Sequence, residues 1–270
     1  MLLRPRYFSL SLTLLTATRQ TCRSFTAYAT AMSSDPRPIV RPANVLVLSK
    51  DPDDPNNKPV YDALGPSSPL GKITATCATV EDVKGLDPTV LSSVSVLFLA
   101  WADADLVAAA LSACPSVKWA HSRSAGVEGM VSPTLTSHPC RMTNAKGCFS
   151  RTLAEYCMSA CGYFAKDFKR LEAQKAEKRW DQYAVKEMST QTMGVVGYGD
   201  IGRACGALAK AYGMRVLALR RDPSLCNGDP VVDAAYGSDG VGEMLAESDY
   251  VLVAAPLTAK TRGMVGREEL

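Results

Sequence analysis

Histidine is nearly absent: the 270 residues contain two, His121 and His138. Neither belongs to a motif that joins an imidazole to a base or an acid, so both read as structural or surface histidines. Metal ligands are equally short. The nine cysteines are scattered, with no Cys-x-x-Cys pair and no Cys/His cluster at metal spacing. Cys157 and Cys161 share one helix face and Cys205 falls in another helix. All read as reduced, mostly buried thiols of a protein that is not secreted. No apolar run is long enough to cross a bilayer. An excess of one charge is lacking too. The net charge is +3, but Arg4, Arg6, Arg19 and Arg23 lie in residues 1–34 with no acid among them; setting these aside leaves 26 basic against 27 acidic residues. The body therefore carries no electrostatic footprint for nucleic acid or a membrane surface. An apolar share of 47% and a charged share of 21% are those of an ordinary globular protein, and the length suits one large or two ordinary domains.

What is present is concentrated at Thr192-Met193-Gly194-Val195-Val196-Gly197-Tyr198-Gly199-Asp200-Ile201-Gly202. A short apolar strand runs into Gly-x-Gly-x-x-Gly and then into a helix over Gly202–Tyr212, with a second strand, Met214–Leu219, at βαβ distance. This order suits a dinucleotide pyrophosphate. Gly197 permits the tight turn, Gly199 lets backbone approach the phosphates, and Gly202 lets the helix lie close on its strand. The helix then points free N–H groups and the positive end of its dipole at the anion.

The rest of the body alternates β and α. Strands are expected at Asn44–Leu48, Lys72–Ala78, Val94–Ala100, Val117–His121 and Arg141–Thr143. Helices are expected from Val80–Val83 onward and over Asp103–Ala113, where Asp103 is a cap. Asp51–Pro69 reads as loop with one weak helical turn. Ser150–Trp180 is the longest helical pattern, with Leu153, Cys157, Ala160, Cys161, Phe164, Phe168 and Leu171 in core rhythm up to a charged second half. Further strands follow at Val231–Ala235 and Tyr250–Ala254. The expected fold is α/β, two doubly wound parallel-sheet domains of Rossmann-like and flavodoxin-like type. The divisions fall at residues 1–34, 40–148 and 149–270, and the last domain is expected to be incomplete.

Met1–Ala31 is rich in Ser, Thr and Arg and free of Asp and Glu, the composition of an organelle transit peptide. Arg23-Ser24-Phe25-Thr26 looks like a mitochondrial processing site. A plastid address is the alternative, and a start at Met32 would make the protein cytoplasmic.

Four stretches resemble the D-isomer-specific 2-hydroxyacid dehydrogenase family, which includes glyoxylate/hydroxypyruvate reductases and phosphoglycerate dehydrogenase. They are Ser124-Ala125-Gly126-Val127-Glu128; Thr143–Gly147 with Leu153–Tyr156; Met193–Gly213; and Asp249–Leu252 with Pro256–Thr258 and Thr261–Gly263. Their order and spacing make the resemblance specific. It implies hydride transfer between a nicotinamide and C2 of a small 2-oxo or 2-hydroxy acid. The substrate carboxylate would meet amides at Ala125 and Gly126, as a glycine-containing turn after a strand allows. The coenzyme would lie on Gly197, Tyr198, Gly199, Asp200, Ile201 and Gly202, with Ala255, Pro256 and Thr261 beside the nicotinamide. A homodimer is implied. At the end of the second strand, where an NAD site places an acid, stand Arg220 and Arg221, which favour the 2′-phosphate of NADP over NAD; Asp222 would restore an acid after a shift of two residues.

The family's catalytic Arg, Glu and His lie on segments expected beyond Leu270, so no residue of this chain is assigned their roles. Glu268 and Glu269 are expected to begin a helix. In a sheet ordered 3-2-1-4-5-6, the strand at Tyr250–Ala254 should gain two further neighbours. The 270-residue product is therefore expected to be inactive and poorly soluble, with an open edge. The competing reading is a non-catalytic dinucleotide-binding sensor or interaction module on the same fold. An adenosylhomocysteine hydrolase-like enzyme is disfavoured by the Ala125–Glu128 turn and the Thr143–Tyr156 crossing.

Overall fold

The computed structural model describes residues 42–269, so the transit-peptide reading of residues 1–34 lies outside them. Pro42–Leu270 form one compact unit holding two parallel sheets. The first begins at β1 (Ala43–Ser49), whose Val45, Leu46, Val47 and Leu48 are all buried. A continuous apolar run of this kind belongs to a strand covered on both faces. A short helix α1 (Lys58–Ala63) follows inside the stretch expected to be loop. Then come β2 (Gly71–Cys77), α2 (Val80–Lys84), α3 (Pro88–Ser93), β3 (Val96–Trp101), α4 (Ala104–Ala113), β4 (Trp119–Ser122), α5 (Pro133–Ser137) and β5 (Arg141–Asn144). The strand order is β2-β1-β3-β4-β5, all parallel. This is the flavodoxin-like winding, which reverses between β1 and β3. One face buries Leu46, Leu48, Leu97 and Leu99 under Leu106, Val107, Ala110 and Leu111 of α4. The other carries Val45, Val47, Phe98 and Ala100. On β4, Trp119 is 44% exposed, and its indole Nε1 donates to Thr143 Oγ1 at 2.8 Å. His121 stacks on Phe98 and shares the Thr143 hydroxyl at 2.8 Å.

Asp103 caps α4 as expected, accepting from the Leu106 amide at 2.9 Å, and pairs with Lys50 at 2.6 Å. The Lys50 ammonium and then that amide hold its carboxyl below the usual range. A depressed carboxylate stabilises the fold above its unfolded value of about 3.9, and the contribution disappears as the pH falls through the lower folded value. Asp103→Ala is expected to cost about 1 kcal/mol, a typical capping loss. The difference from wild type, read from urea unfolding midpoints, should shrink on acidification below that range.

The long helical pattern at Ser150–Trp180 is two helices, α6 (Ser150–Ala165) and α7 (Phe168–Ala176). Asp167 breaks it. Its backbone is left-handed, with φ 49°, and its carboxylate accepts from the Arg170 amide to cap α7. The expected core stripe is corrected as well. Leu153, Phe164, Phe168 and Leu171 are exposed, whereas Ser150, Ala154, Met158, Cys161 and Ala165 are buried. Small side chains occupy the packed face, so another helix can approach closely.

The second sheet comprises β6 (Thr192–Val196), β7 (Arg215–Leu219), β8 (Ala234–Tyr236) and β9 (Tyr250–Val253). Helix α8 (Asp200–Ala211) crosses from β6 to β7, and α9 (Val241–Ala246) leads into β9. The order is β8-β7-β6-β9, all parallel, the 3-2-1-4 portion of a Rossmann winding. Helices α6 and α8 pack on each other. Among the described residues β9 pairs only with β6, and its Val251 and Val253 are exposed. Residues 267 and 268 form bends rather than the start of the expected helix, and the Glu269 carboxylate accepts from the Gly266 amide at 2.7 Å. No described helix is long and apolar enough to cross a membrane.

Candidate functional site

The C-terminal end of β6 turns at Gly197, whose φ is +92°. Its amide donates to the Leu219 carbonyl at 2.9 Å, and that of Tyr198 to the same oxygen at 3.3 Å. The elbow is thus pinned to the end of β7. A Cβ on Gly197 would fall 2.4 Å from the Ala255 nitrogen, so this glycine lets the segment after β9 close over the turn. A Cβ on Gly202 would fall 2.4 Å from the Gly197 carbonyl oxygen and 2.9 Å from Val195 Cγ1, so the second close contact is helix on strand. Gly199 is different: a Cβ there would meet nothing within 4 Å. It is the N-cap residue of α8, and no side chain caps the helix. The amides of Asp200, Ile201 and Gly202 in the first turn have no acceptor among the described residues, an arrangement that receives an anion.

The opposite end of α8 is closed. Gly213, at φ +81°, donates to the Lys210 carbonyl at 2.9 Å and Met214 to that of Ala209 at 3.1 Å. These two bonds form a Schellman stop. The Tyr198 side chain turns away from the cradle and is 2% exposed, with its hydroxyl donating to Asp229 at 3.3 Å. Burial, with Asp229 beside it, pushes that phenol up to about 12. Tyr198 therefore brings backbone to the cradle and packing beneath it. The Asp200 carboxylate is turned toward Ser150, which donates to it from the first turn of α6.

At the end of β7 the Arg220 amide donates to the Tyr236 carbonyl at 3.0 Å, while its Nη1 is buried without a hydrogen-bond partner. Arg221 is exposed. Asp222 is committed elsewhere: one carboxylate oxygen accepts from the Ser224 amide at 3.1 Å and the Ser224 hydroxyl at 2.6 Å, capping the turn Pro223–Cys226. Beside the elbow, Thr261 Oγ1 donates to the Pro256 carbonyl at 2.5 Å and accepts from the Thr258 amide at 2.8 Å. These bonds hold Ala255–Thr261 as a folded loop.

The second candidate turn follows β4. The Ser124 carbonyl accepts from Ala145 N at 3.2 Å and the Ala125 carbonyl from Asn144 Nδ2 at 2.6 Å. Both carbonyls are spent on the end of β5, and the amides of Ala125 and Gly126 have no acceptor among the described residues. The Glu128 carboxylate reaches over this turn, since a Cβ on Gly126 would fall 2.6 Å from its Oε2.

Sequence reasoning missed the anchor of this turn. Arg123 donates to Asn57 Oδ1 at 2.7 Å and pairs with Asp54 at 2.7 Å. Asn57 in turn reaches Ser49 Oγ at 3.3 Å, and both Asn57 and Ser49 are wholly buried. The Asn56 amide and then Arg123 hold the Asp54 carboxyl below the usual range. The only signal in the sequence was an arginine next to a turn. The two histidines stand apart from both turns: His121 lies on β4, and His138 Nδ1 accepts from the Cys140 amide at 3.1 Å. Among the described residues no group of three or more His, Cys, Asp or Glu is arranged to hold a metal ion.

Parallel α/β winding, a glycine elbow and an uncapped helix start define a dinucleotide-binding protein of Rossmann type. Residues 158–270 match the model of a family described as D-isomer specific 2-hydroxyacid dehydrogenase, NAD binding domain. Over those residues the chain is similar to the NAD binding domain of the D-isomer-specific 2-hydroxyacid dehydrogenase family. It is 28% identical over 132 residues to a hydroxypyruvate reductase of Thermotoga maritima, covering 48% of this chain and 41% of that one. It is 37% identical over 93 residues to a hydroxypyruvate reductase of Blautia hydrogenotrophica, covering 34% of this chain and 27% of that one. A solved D-isomer specific 2-hydroxyacid dehydrogenase from Xanthobacter autotrophicus, in complex with NADPH, shares the fold with a TM-score of 0.66 at 23% identity, over 84% of this chain and 68% of that one. The chain spans less than half the length of these two curated relatives.

Proposed function

We propose that the chain carries the coenzyme grip and the substrate-carboxylate turn of an NAD(P)-dependent 2-hydroxyacid dehydrogenase that interconverts a small 2-oxo acid and its 2-hydroxy acid. The observation that carries this reading is the free space over Gly199, in front of the uncapped first turn of α8. When bound, a nicotinamide supplies or accepts the hydride. The chain's own residues bind and orient: Gly199–Gly202 receive the pyrophosphate, Ala255–Thr261 lie beside the nicotinamide, and Ala125 and Gly126 take the substrate carboxylate. Polarising the carbonyl and donating the proton need a cation and an acid. Neither role is assigned to a histidine of this chain: His121 stacks on Phe98 in the first sheet, and His138 accepts from the Cys140 amide in the turn before β5.

The orphaned Nη1 of Arg220 and the prior commitment of Asp222 support NADP(H) as the preferred coenzyme. A buried guanidinium donor without a partner is costly unless a ligand oxygen completes it. Fluorescence titration with NADPH and NADH tests both points. NADPH should bind more tightly, and Arg220→Ala should weaken it by about 10- to 100-fold, the worth of one charge-assisted hydrogen bond, with NADH unchanged. Binding of neither coenzyme to the folded chain would remove the proposal, and tighter binding of NADH would remove its NADP part.

A second copy of the chain is the partner this reading assigns, supported by the exposed Tyr156 and Phe164 on α6. Sedimentation velocity distinguishes dimer from monomer. Import into mitochondria belongs to the same reading, supported by the acid-free, arginine-bearing residues 1–34. A fluorescent protein fused behind them should localise there; diffuse cytoplasmic signal would contradict it.

A further inference from the structure

The first residue of α8 is an acid. Asp200 offers its amide to the proposed pyrophosphate, and its side chain is exposed. For the helix alone an acid here is favourable, because it faces the positive end of the dipole. Beside a bound diphosphate it is unfavourable, because like charges at such short range repel. Among the described residues no lysine or arginine pairs with Asp200 to cancel its charge.

The carboxylate is not spent on capping its own helix. It accepts instead from the Ser150 hydroxyl, 50 residues earlier in the first turn of α6. Its Oδ2 also lies 4.0 Å from where a Cβ on Gly147 would stand, so the acid rests against the crossing between β5 and α6. Ser150 is 8% exposed, at the start of the helix that packs on α8. A buried hydroxyl requires a partner, and Asp200 supplies it.

We propose that Ser150 is a positioning residue for coenzyme binding: its hydroxyl holds the Asp200 carboxylate against the crossing and out of the pyrophosphate cradle. The inference rests on the reading of Gly199–Gly202 as that cradle. Without the hydroxyl, the carboxylate is free to turn toward the amides of Ile201 and Gly202, where the dipole attracts it. It then competes with the pyrophosphate for the same donors. Its charge also comes nearer the phosphates, and repulsion grows as the separation falls. Both effects weaken the coenzyme. Asparagine at 200 has the same shape without the charge, so it removes the repulsion and competes only feebly. A serine that merely packed α6 on α8 would act in the same way whatever stood at 200.

Fluorescence titration of the full chain, with whichever of NADPH and NADH it binds more tightly, tests this in a double-mutant cycle. Ser150→Ala should weaken binding by about 10-fold, the order expected for one like-charge contact near a protein surface. Asp200→Asn should bind at least as tightly as wild type. In the Asp200→Asn background, adding Ser150→Ala should cost no more than about 2-fold, because the group that the serine restrains has lost its charge. A urea unfolding curve for each variant establishes that it is folded during the titration. Unchanged affinity in folded Ser150→Ala would overturn the proposal. So would an equal loss in the Asp200→Asn background, or weaker binding by Asp200→Asn alone. These three outcomes leave the coenzyme reading standing. A wild-type chain that binds neither coenzyme removes that reading, and the role of Ser150 falls with it.

Discussion

Gly199→Val should leave the protein folded and unable to hold a dinucleotide. The backbone at Gly199 has φ −90°, which any residue adopts, and a Cβ there meets nothing within 4 Å of the protein. Valine is a poorer N-cap than glycine, so a stability loss of about 1 kcal/mol is expected. The isopropyl group, however, fills the space in front of the Asp200, Ile201 and Gly202 amides. Losing two charge-assisted hydrogen bonds to a pyrophosphate costs about 3–6 kcal/mol. Affinity for reduced coenzyme should therefore fall by at least ~100-fold, while the urea midpoint moves little. Calorimetric titration beside an unfolding curve checks both halves. Unchanged affinity in a folded Gly199→Val protein would show that the phosphates lie elsewhere.

Gly197→Ala should have the opposite profile, with the fold itself failing. The left-handed backbone at φ +92° costs an L-residue about 1–2 kcal/mol. The added methyl also lands 2.4 Å from the Ala255 nitrogen and 2.5 Å from its Cα, and backbone cannot yield as a flexible side chain does. Overpacking of this kind costs about 1–3 kcal/mol. Together these remove a large part of the ~5–15 kcal/mol that holds a typical domain. The urea midpoint should drop sharply, with β6, β7 and the segment after β9 losing hydrogen-exchange protection first. A midpoint within experimental error of wild type would mean that the elbow relaxes freely.

The strands were legible to within two or three residues because their apolar runs are continuous, as a sheet covered on both faces requires. The 3-2-1-4 order followed from the elbow and the βαβ spacing alone. Helix α6 was harder. Its sequence offers two apolar faces, and the larger side chains, Leu153 and Phe164, lie on the exposed one. Hydrophobicity chose the wrong face because close helix contact selects small residues rather than large ones. The break at Asp167 was hidden because aspartate carries no obligatory stop signal; its left-handed backbone arises only when its side chain caps the next turn. Of the site, the glycine spacing gave the elbow directly. The Arg123–Asp54–Asn57 anchor could not be read, since Arg123 lies 66 or more residues from the other two and meets them only after the sheet forms. The conflict between Arg220 and Asp222 was also invisible until Asp222 was seen capping its own turn.

The three indoles, Trp101, Trp119 and Trp180, all precede β6, and residues 192–270 contain none. Tryptophan emission consequently looks at the first sheet through Trp101 and Trp119 and at the segment after α7 through Trp180, but at nothing from β6 onward. Oxidised coenzyme does not absorb where tryptophan emits, so it cannot dim these lamps from a distance. A change in the colour of Trp119 on adding it would register a signal passed from one sheet to the other, because this indole leans on the Thr143 hydroxyl at the root of the crossing.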